Sequence, residues 1–355
     1  MGGMRVLHVS DRLSERGGAY QHLLAVVEAQ VREGHDVHLA VGRADEGVAE
    51  PCPVRVVPGV DARGGADADM ESACSAFEPD VVHVHTVVNP TVLRWAGGRR
   101  AVITVQDHRY FCPGRGKWTL SGEPCRIAPS PADCAACFED ASYFRDVWAL
   151  TRERLAALRA LRVVVLSRYM RDELCAAGLD GGRVFVVPPF VRERGRTDAA
   201  DATPCVLLVG RLVAGKGVLE AAHAWRQSGV ELPLVVAGAG PLRPELERLG
   251  ARVLGWVDRG VLAALYARAG VVVMASRWQE PFGIVGLEAL ANGVPVAAWD
   301  SGGVREWHPG EGLAPWGDVP ALARAIRGLA GRRARPAVGF ERAPLMARLH
   351  EVYAS

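Results

Sequence analysis

Short runs of β-branched and other apolar residues alternate with helical stretches along this chain, and that alternation constrains its fold more than any other feature. RVLHVSD, DVHLAV, DVVHVH, RRAVITV, RVVVLS and RVFVVP follow one another up to about Pro189. Strands that recur with a helix between them pair most readily in parallel, because a parallel partner is reached only by a long crossover. RERGRTDAADATP then lacks apolar periodicity and is crowded with small polar residues, so it reads as a hinge. The pattern restarts with CVLLVGR and continues through PLVVAG, ARVLG, GVVVMAS and PVAAW. With 355 residues the chain exceeds one comfortable core. The expected α/β organisation is a Rossmann-like domain over 1–190, a hinge over 191–204, a second such domain over 205–335 and a terminal segment over 336–355, helical from Phe340 to Tyr353.

The densest motif runs from Ser276 to Gly303, SRWQEPFGIVGLEALANGVPVAAWDSGG. Pro281 and Gly283 break the chain between Glu280 and Glu288, which places Glu280 on a loop and Glu288 in the first two turns of the following helix. The amides of Phe282, Gly283 and Ile284 then stand at a helix N-terminus, where they lack intrahelical acceptors and favour oxygens. Carboxylates favour the paired hydroxyls of a ribose or hexose. Together these groups suit a sugar nucleotide.

This stretch resembles the donor-site signature of retaining glycosyltransferases of the GT-B fold, family 4 (glycosyl transferases group 1). The resemblance covers nearly the whole chain, strongly in the second domain and loosely in the first. It implies two Rossmann-like domains facing across a cleft, with the terminal helix crossing back to the first. Glu280 and the amides of Phe282, Gly283 and Ile284, in the donor-binding turn that Pro281 opens, would hold the donor sugar, and Glu288 the nucleotide ribose. VGRLVAGKG, carrying Gly210, Arg211 and Lys216, resembles the diphosphate clamp; Arg offers a planar fork and Lys a point charge. Arginine dominates the basic residues, and Lys117 and Lys216 are the only lysines. AGAGPL, with Gly238 and Gly240, and VLGWV resemble the wall that holds the nucleobase; Trp256 could pack on the base or lie in the core. The implied reaction is hexosyl transfer with retention from a nucleotide-diphosphate-sugar donor, UDP- or GDP-linked, to an unidentified acceptor. It uses front-face attack and needs no catalytic metal.

In the first domain, Gly17 and Gly18 fall in the turn after the first strand, where the family approaches the donor phosphate and the acceptor. Tyr20 replaces the glutamate usual there. TVQDHRYFCP aligns with a family pattern in which Gln106 occupies the place of the active-site histidine. A glutamine positions hydroxyls but is no general base near neutral pH. Either Gln106 positions the sugar or His108 has taken over, since residues two apart on a strand share a face. His83 and His85 read as structural. Cys112, Cys125, Cys134 and Cys137 are four thiols within 26 residues, including the chelating CAAC. Structural zinc, free thiols and two disulfides are the possible states, and cytoplasmic redox disfavours the last.

Net charge of +2 gives no reason to expect nucleic acid as a partner. No apolar run approaches the ~20 residues of a membrane span, and MGGMRVLHVSD reads as a strand rather than a signal peptide, so a cytoplasmic protein is expected. Arg152, Arg154, Arg159, Arg162, Arg168 and Arg171 crowd one region, which admits a peripheral membrane contact or a solvated helix face. Epimerisation or hydrolysis of a sugar nucleotide, and donor binding without turnover, are the rival activities.

Overall fold

A computed structural model of the chain describes residues 3–191 and 203–355. Most of the expected hinge therefore lies outside the described residues. Two compact units emerge, one of Met1–Ser121, Cys125–Arg192 and Glu341–Ser355, the other of Gly122–Pro124 and Glu193–Phe340.

The first unit holds seven parallel strands: β1 Arg5–Leu13, β2 Asp36–Ala44, β3 Val54–Val56, β4 Val81–His85, β5 Ala101–Val105, β6 Arg162–Val165 and β7 Val184–Val186. Their order is β3-β2-β1-β4-β5-β6-β7. Period-two alternation divides the core. Leu7, Val9, Val82, Val84, Ile103, Val105, Val163 and Val165 join one cluster, whereas Val6, Val81, Val102 and Val164 join another with the helices Gly18–Arg32 and Arg342–Ala354. The terminal helix thus buries Leu345, Met346, Leu349, Val352 and Tyr353 in the first unit.

The second unit contains β8 Cys205–Val209, β9 Leu234–Ala237, β10 Arg252–Gly255, β11 Ala269–Met274, β12 Val296–Trp299 and β13 Leu313–Ala314, ordered β10-β9-β8-β11-β12-β13. Both sheets are doubly wound. Chain order reverses between β1 and β4 in the first and between β8 and β11 in the second. Ligands of such sheets bind beyond the carboxyl ends of the strands at that reversal.

Candidate active site

Helix starts divide into two kinds. Asp69, Asn89, Asp140, Ser167, Asp258 and Asp318 cap their helices by accepting a backbone N–H. The helices beginning at Gly18, Val218, Ile284, Arg243 and Arg342 have no side-chain cap, and the first three of these follow a glycine, Gly17, Gly217 and Gly283. Those three lie in the turns singled out by the sequence. Gly283 has φ 90°, a left-handed conformation that a side chain would strain. An uncapped start leaves N–H groups for an outside anion or hydroxyl.

Glu280 is buried on the loop before Ile284–Ala291. Its Oε1 accepts from Lys216 Nζ at 2.6 Å, from Trp278 Nε1 at 3.0 Å and from the Ser276 hydroxyl. Burial alone would raise this carboxyl, but the Lys216 ammonium and the three donors outweigh it and hold Glu280 below the usual carboxylate range. Its backbone is fixed as well: the amide donates to Ser301 Oγ at 3.3 Å, and the carbonyl accepts from Gly303 at 2.7 Å.

One indole gathers the cations. Lys216 Nζ lies 4.8 Å and Arg211 Cζ 5.1 Å from the Trp278 ring centroid. Among the described residues Arg211 forms no ion pair, and it is exposed. Glu288 is buried in the next helix, where its Oε2 accepts from Tyr266 at 3.0 Å. Gly210 follows β8, and Gly238 and Gly240 follow β9. A Cβ at Gly238 would lie 1.8 Å from the Gly210 carbonyl oxygen, so the two loops meet backbone to backbone. Phe282, two residues after Glu280, is buried, its carbonyl accepting from Trp307 Nε1 at 2.6 Å. Trp256 is 43% exposed, which removes it from the core. Trp278, Ser276 and Tyr266 were not singled out by sequence. Trp278 stands two residues before Glu280 and carried a signal; Tyr266 reaches Glu288 across 22 positions and carried none.

In the first unit Gln106 follows β5 and is 8% exposed, and among the described residues neither its amide oxygen nor its nitrogen has a hydrogen-bond partner. His108 is also buried, but its Nε2 lies 3.1 Å from the Tyr169 hydroxyl and its ring stands edge-on to Phe111. At the end of β1, Asp11 accepts from Thr86 at 2.6 Å and from Tyr20 at 3.3 Å. Burial raises the Asp11 carboxyl despite these bonds. Thr86 has φ 57°, a strained conformation for a β-branched residue, at the end of β4. Asp107 binds the Arg109 guanidinium through Oδ2, at 2.9 and 2.6 Å. Arg154, from the basic run, is buried and donates to the carbonyls of Val88, Arg109 and Arg63, so it belongs to no solvated face. No helix among the described residues is long and apolar enough to cross a membrane.

A profile described as Glycosyltransferase Family 4 matches residues 16–193, and one described as Glycosyl transferases group 1 matches residues 203–332. Alpha-D-kanosaminyltransferase of Streptomyces kanamyceticus is 33% identical over 184 residues, 45% of this chain and 47% of that protein. GDP-mannose-dependent alpha-mannosyltransferase of Mycolicibacterium smegmatis is 28% identical over 331 residues, 85% of this chain and 81% of that protein. The chain spans about half the length of the first curated relatives it matches. Anabaena HepE in complex with UDP and glucose superposes with a TM-score of 0.69 at 18% identity, covering 99% of both chains. AviGT4, from avilamycin A biosynthesis, does so with 0.63 at 20% identity, over 99% of this chain and 97% of its own. At these identities the structures establish the shared GT-B fold.

Proposed function

Since the chain belongs to glycosyltransferase family 4, we propose that it transfers a hexosyl group from a UDP- or GDP-linked donor to a hydroxyl acceptor, with retention of anomeric configuration. The observation that carries this reading is the cation pair on Trp278. Arg211 and Lys216 stand on one ring beside uncapped helix starts, an arrangement suited to a diphosphate. Charge accumulates on the diphosphate as the bond from the anomeric carbon to the leaving oxygen breaks. Two preorganised cations stabilise it without a metal. Lys216 has three N–H donors, so one can remain on Glu280 while another reaches a phosphate oxygen.

Glu280, kept ionised, accepts from donor-sugar hydroxyls, and the Phe282–Ile284 amides meet the sugar oxygens. Glu288 accepts from the ribose hydroxyls, oriented by Tyr266. On the acceptor side, Gln106 positions a hydroxyl; its unpartnered amide gives the reason, because such an amide is costly until a ligand satisfies it. In front-face attack the departing phosphate oxygen takes the acceptor proton, so no protein base is needed. His108, bonded to Tyr169, packs the segment.

The test is a thermal-shift panel of sugar nucleotides followed by product analysis with the donor that binds. A true donor raises the melting temperature in proportion to occupancy. A new glycoside of unchanged anomeric configuration supports the proposal. Inverted product, free sugar, isomerised nucleotide or no stabilisation by any donor overturns it.

A further inference from the structure

The four-cysteine loop takes no part in the chemistry above. Nothing from 119 to 140 is buried, and its only regular element is the five-residue helix Pro131–Ala135, capped by Ser130. A segment with so little apolar burial needs another source of order. One end is tied down. Lys117 is buried, donates to the Ile127 carbonyl at 2.6 Å and pairs with Glu173 at 2.9 Å, while the Cys125 amide donates to the Lys117 carbonyl at 2.8 Å.

The thiols converge from separate turns. Cys134 and Cys137 lie on one helical turn, the Cys137 amide donating to the Cys134 carbonyl at 3.1 Å. A Cβ at Gly114 would lie 3.7 Å from Cys137 Sγ and 3.9 Å from Cys112 Sγ, so a residue without a side chain separates those sulfurs. Cys134 lies within electrostatic reach of Cys112, Cys125 and Cys137. All four cysteines are unpaired and partly exposed.

Among the described residues, two other groups bring three ligand atoms within 4.8 Å, His8 with His83 and His85, and Glu33 with His35 and His350. The thiols are more open than that. The buried histidines, however, have engaged all their nitrogens but His85 Nδ1, which has no partner among the described residues. His8 Nδ1 meets His85 Nε2 at 2.9 Å and His8 Nε2 meets Gln30 at 2.6 Å, while His83 is bonded to Tyr353 and Thr104. The thiols have no such competing bonds to one another, and four sulfurs are the donor set of a closed zinc site.

We propose that Cys112, Cys125, Cys134 and Cys137 bind one zinc ion as thiolates, and that the ion orders the 112–137 loop and, through Cys112, the segment carrying Gln106. The Cys112 amide donates to the His108 carbonyl at 2.7 Å, which links the first ligand to that segment. Binding displaces four thiol protons to solvent and leaves four sulfur–zinc bonds.

Elemental analysis of the full chain, purified without chelator, reads the site directly: about one zinc per chain is expected. Cobalt substitution should give intense thiolate-to-metal absorption, lost together with the zinc in Cys134→Ser/Cys137→Ser. Stripping the metal from the parent should speed hydrogen exchange across 106–137 and leave 276–291 unchanged. A metal-free protein whose four thiols titrate freely overturns the proposal, as do two disulfides found by mass spectrometry. Unchanged exchange on stripping overturns the link to Gln106, and this readout does not depend on the double variant folding. Donor thermal shifts, measured on parent and stripped protein, keep the outcome separate from the transferase reading, since zinc content stands whether or not a donor binds.

Discussion

Glu280 in the second unit and Gln106 in the first are buried in opposite ways. In the second, a charge is buried and paired: Glu280 has Lys216, Ser276 and Trp278 on one oxygen. The first unit buries charge too, Lys117 against Glu173 and Arg154 on backbone carbonyls, but around the strand ends its buried groups are neutral. His8, His22, His83 and His85 are held uncharged by burial, and Gln106 carries an amide with no partner. An unpaired buried charge costs far more than an unpaired buried amide, so an ionised site has to be completed by the protein while an amide can wait for its ligand. The proposed transfer uses this difference, with the anionic donor at the completed site and an uncharged hydroxyl at the waiting one.

The largest expected effect comes from breaking the completed site. Lys216→Ala removes one preorganised charge contact to the transition state, which typically costs roughly 3 kcal/mol, or about a hundredfold in rate. It also strands Glu280, so the melting temperature should drop. Lys216→Ala/Glu280→Gln separates these consequences: stability should return and transfer should not. If the double variant recovers both, the pair is structural and the diphosphate assignment is wrong. Arg211→Ala, which strands no carboxylate, should lose rate without losing stability.

Acid should break the first unit before the second. His8 and His22 are pushed down to about 4 by burial, from 6.5. Between those values the unfolded chain binds protons that the fold excludes, so their stabilisation is complete above 6.5 and falls as pH falls towards 4. A single histidine shifted that far is worth about 3 kcal/mol across the window. Glu280 has the opposite sense: its carboxyl is depressed below 4.5, so its contribution holds above that value and is lost only as pH falls through the lower folded one. Hydrogen exchange from pH 7.5 to 4.5 should therefore show 5–105 loosening first. His22→Leu should flatten the pH dependence of the melting temperature, and an unchanged slope would sink the account.

How far the sequence foretold all this depends on whether the physics is local. The alternation of apolar runs with helical stretches reveals the longer strands because burial on both faces demands apolar runs, whereas Val54–Val56 and Leu313–Ala314 are too short to leave a pattern. Pro281 and Gly283 announce the helix bearing Glu288 because they act on their own backbone. The partnerships do not announce themselves. Lys216 meets Glu280 across 64 positions, and His83 meets Tyr353 across 270, so each exists only once the crossovers are built. Gln106 appears as a departure from a family pattern; that its amide is orphaned is a property of packing alone.

A smaller effect sharpens the division within the second unit. Glu288→Ala should weaken binding of the bare nucleoside diphosphate by roughly tenfold, the scale of one hydrogen bond to a charged group. Tyr266→Phe should give a fraction of that loss, because it removes only the hydroxyl that orients Oε2. Glu280→Gln should leave this affinity nearly intact and lower turnover of the complete donor. Titration calorimetry with the nucleoside diphosphate reads all three. Equal losses in the two glutamate variants would contradict the separate roles.

The smallest expected change is in stability and has an unusual sign. Gln106→Leu replaces a buried amide that lacks partners with an apolar group of similar size, so the ligand-free protein should melt at the same temperature or higher, by up to about 1 kcal/mol. Transfer should nonetheless fall, by roughly tenfold, because the acceptor hydroxyl loses its guide. His108→Phe is the counterpart. It forfeits the bond to Tyr169 and should lower stability modestly, yet the pH dependence of the rate should match the parent, since His108 neither gives nor takes a proton. A Gln106→Leu protein that melts lower and transfers at the parental rate would make Gln106 a packing residue. A His108→Phe enzyme that loses one limb of its pH profile would transfer the chemistry to the histidine, and the contrast between a completed and a waiting site would then no longer hold.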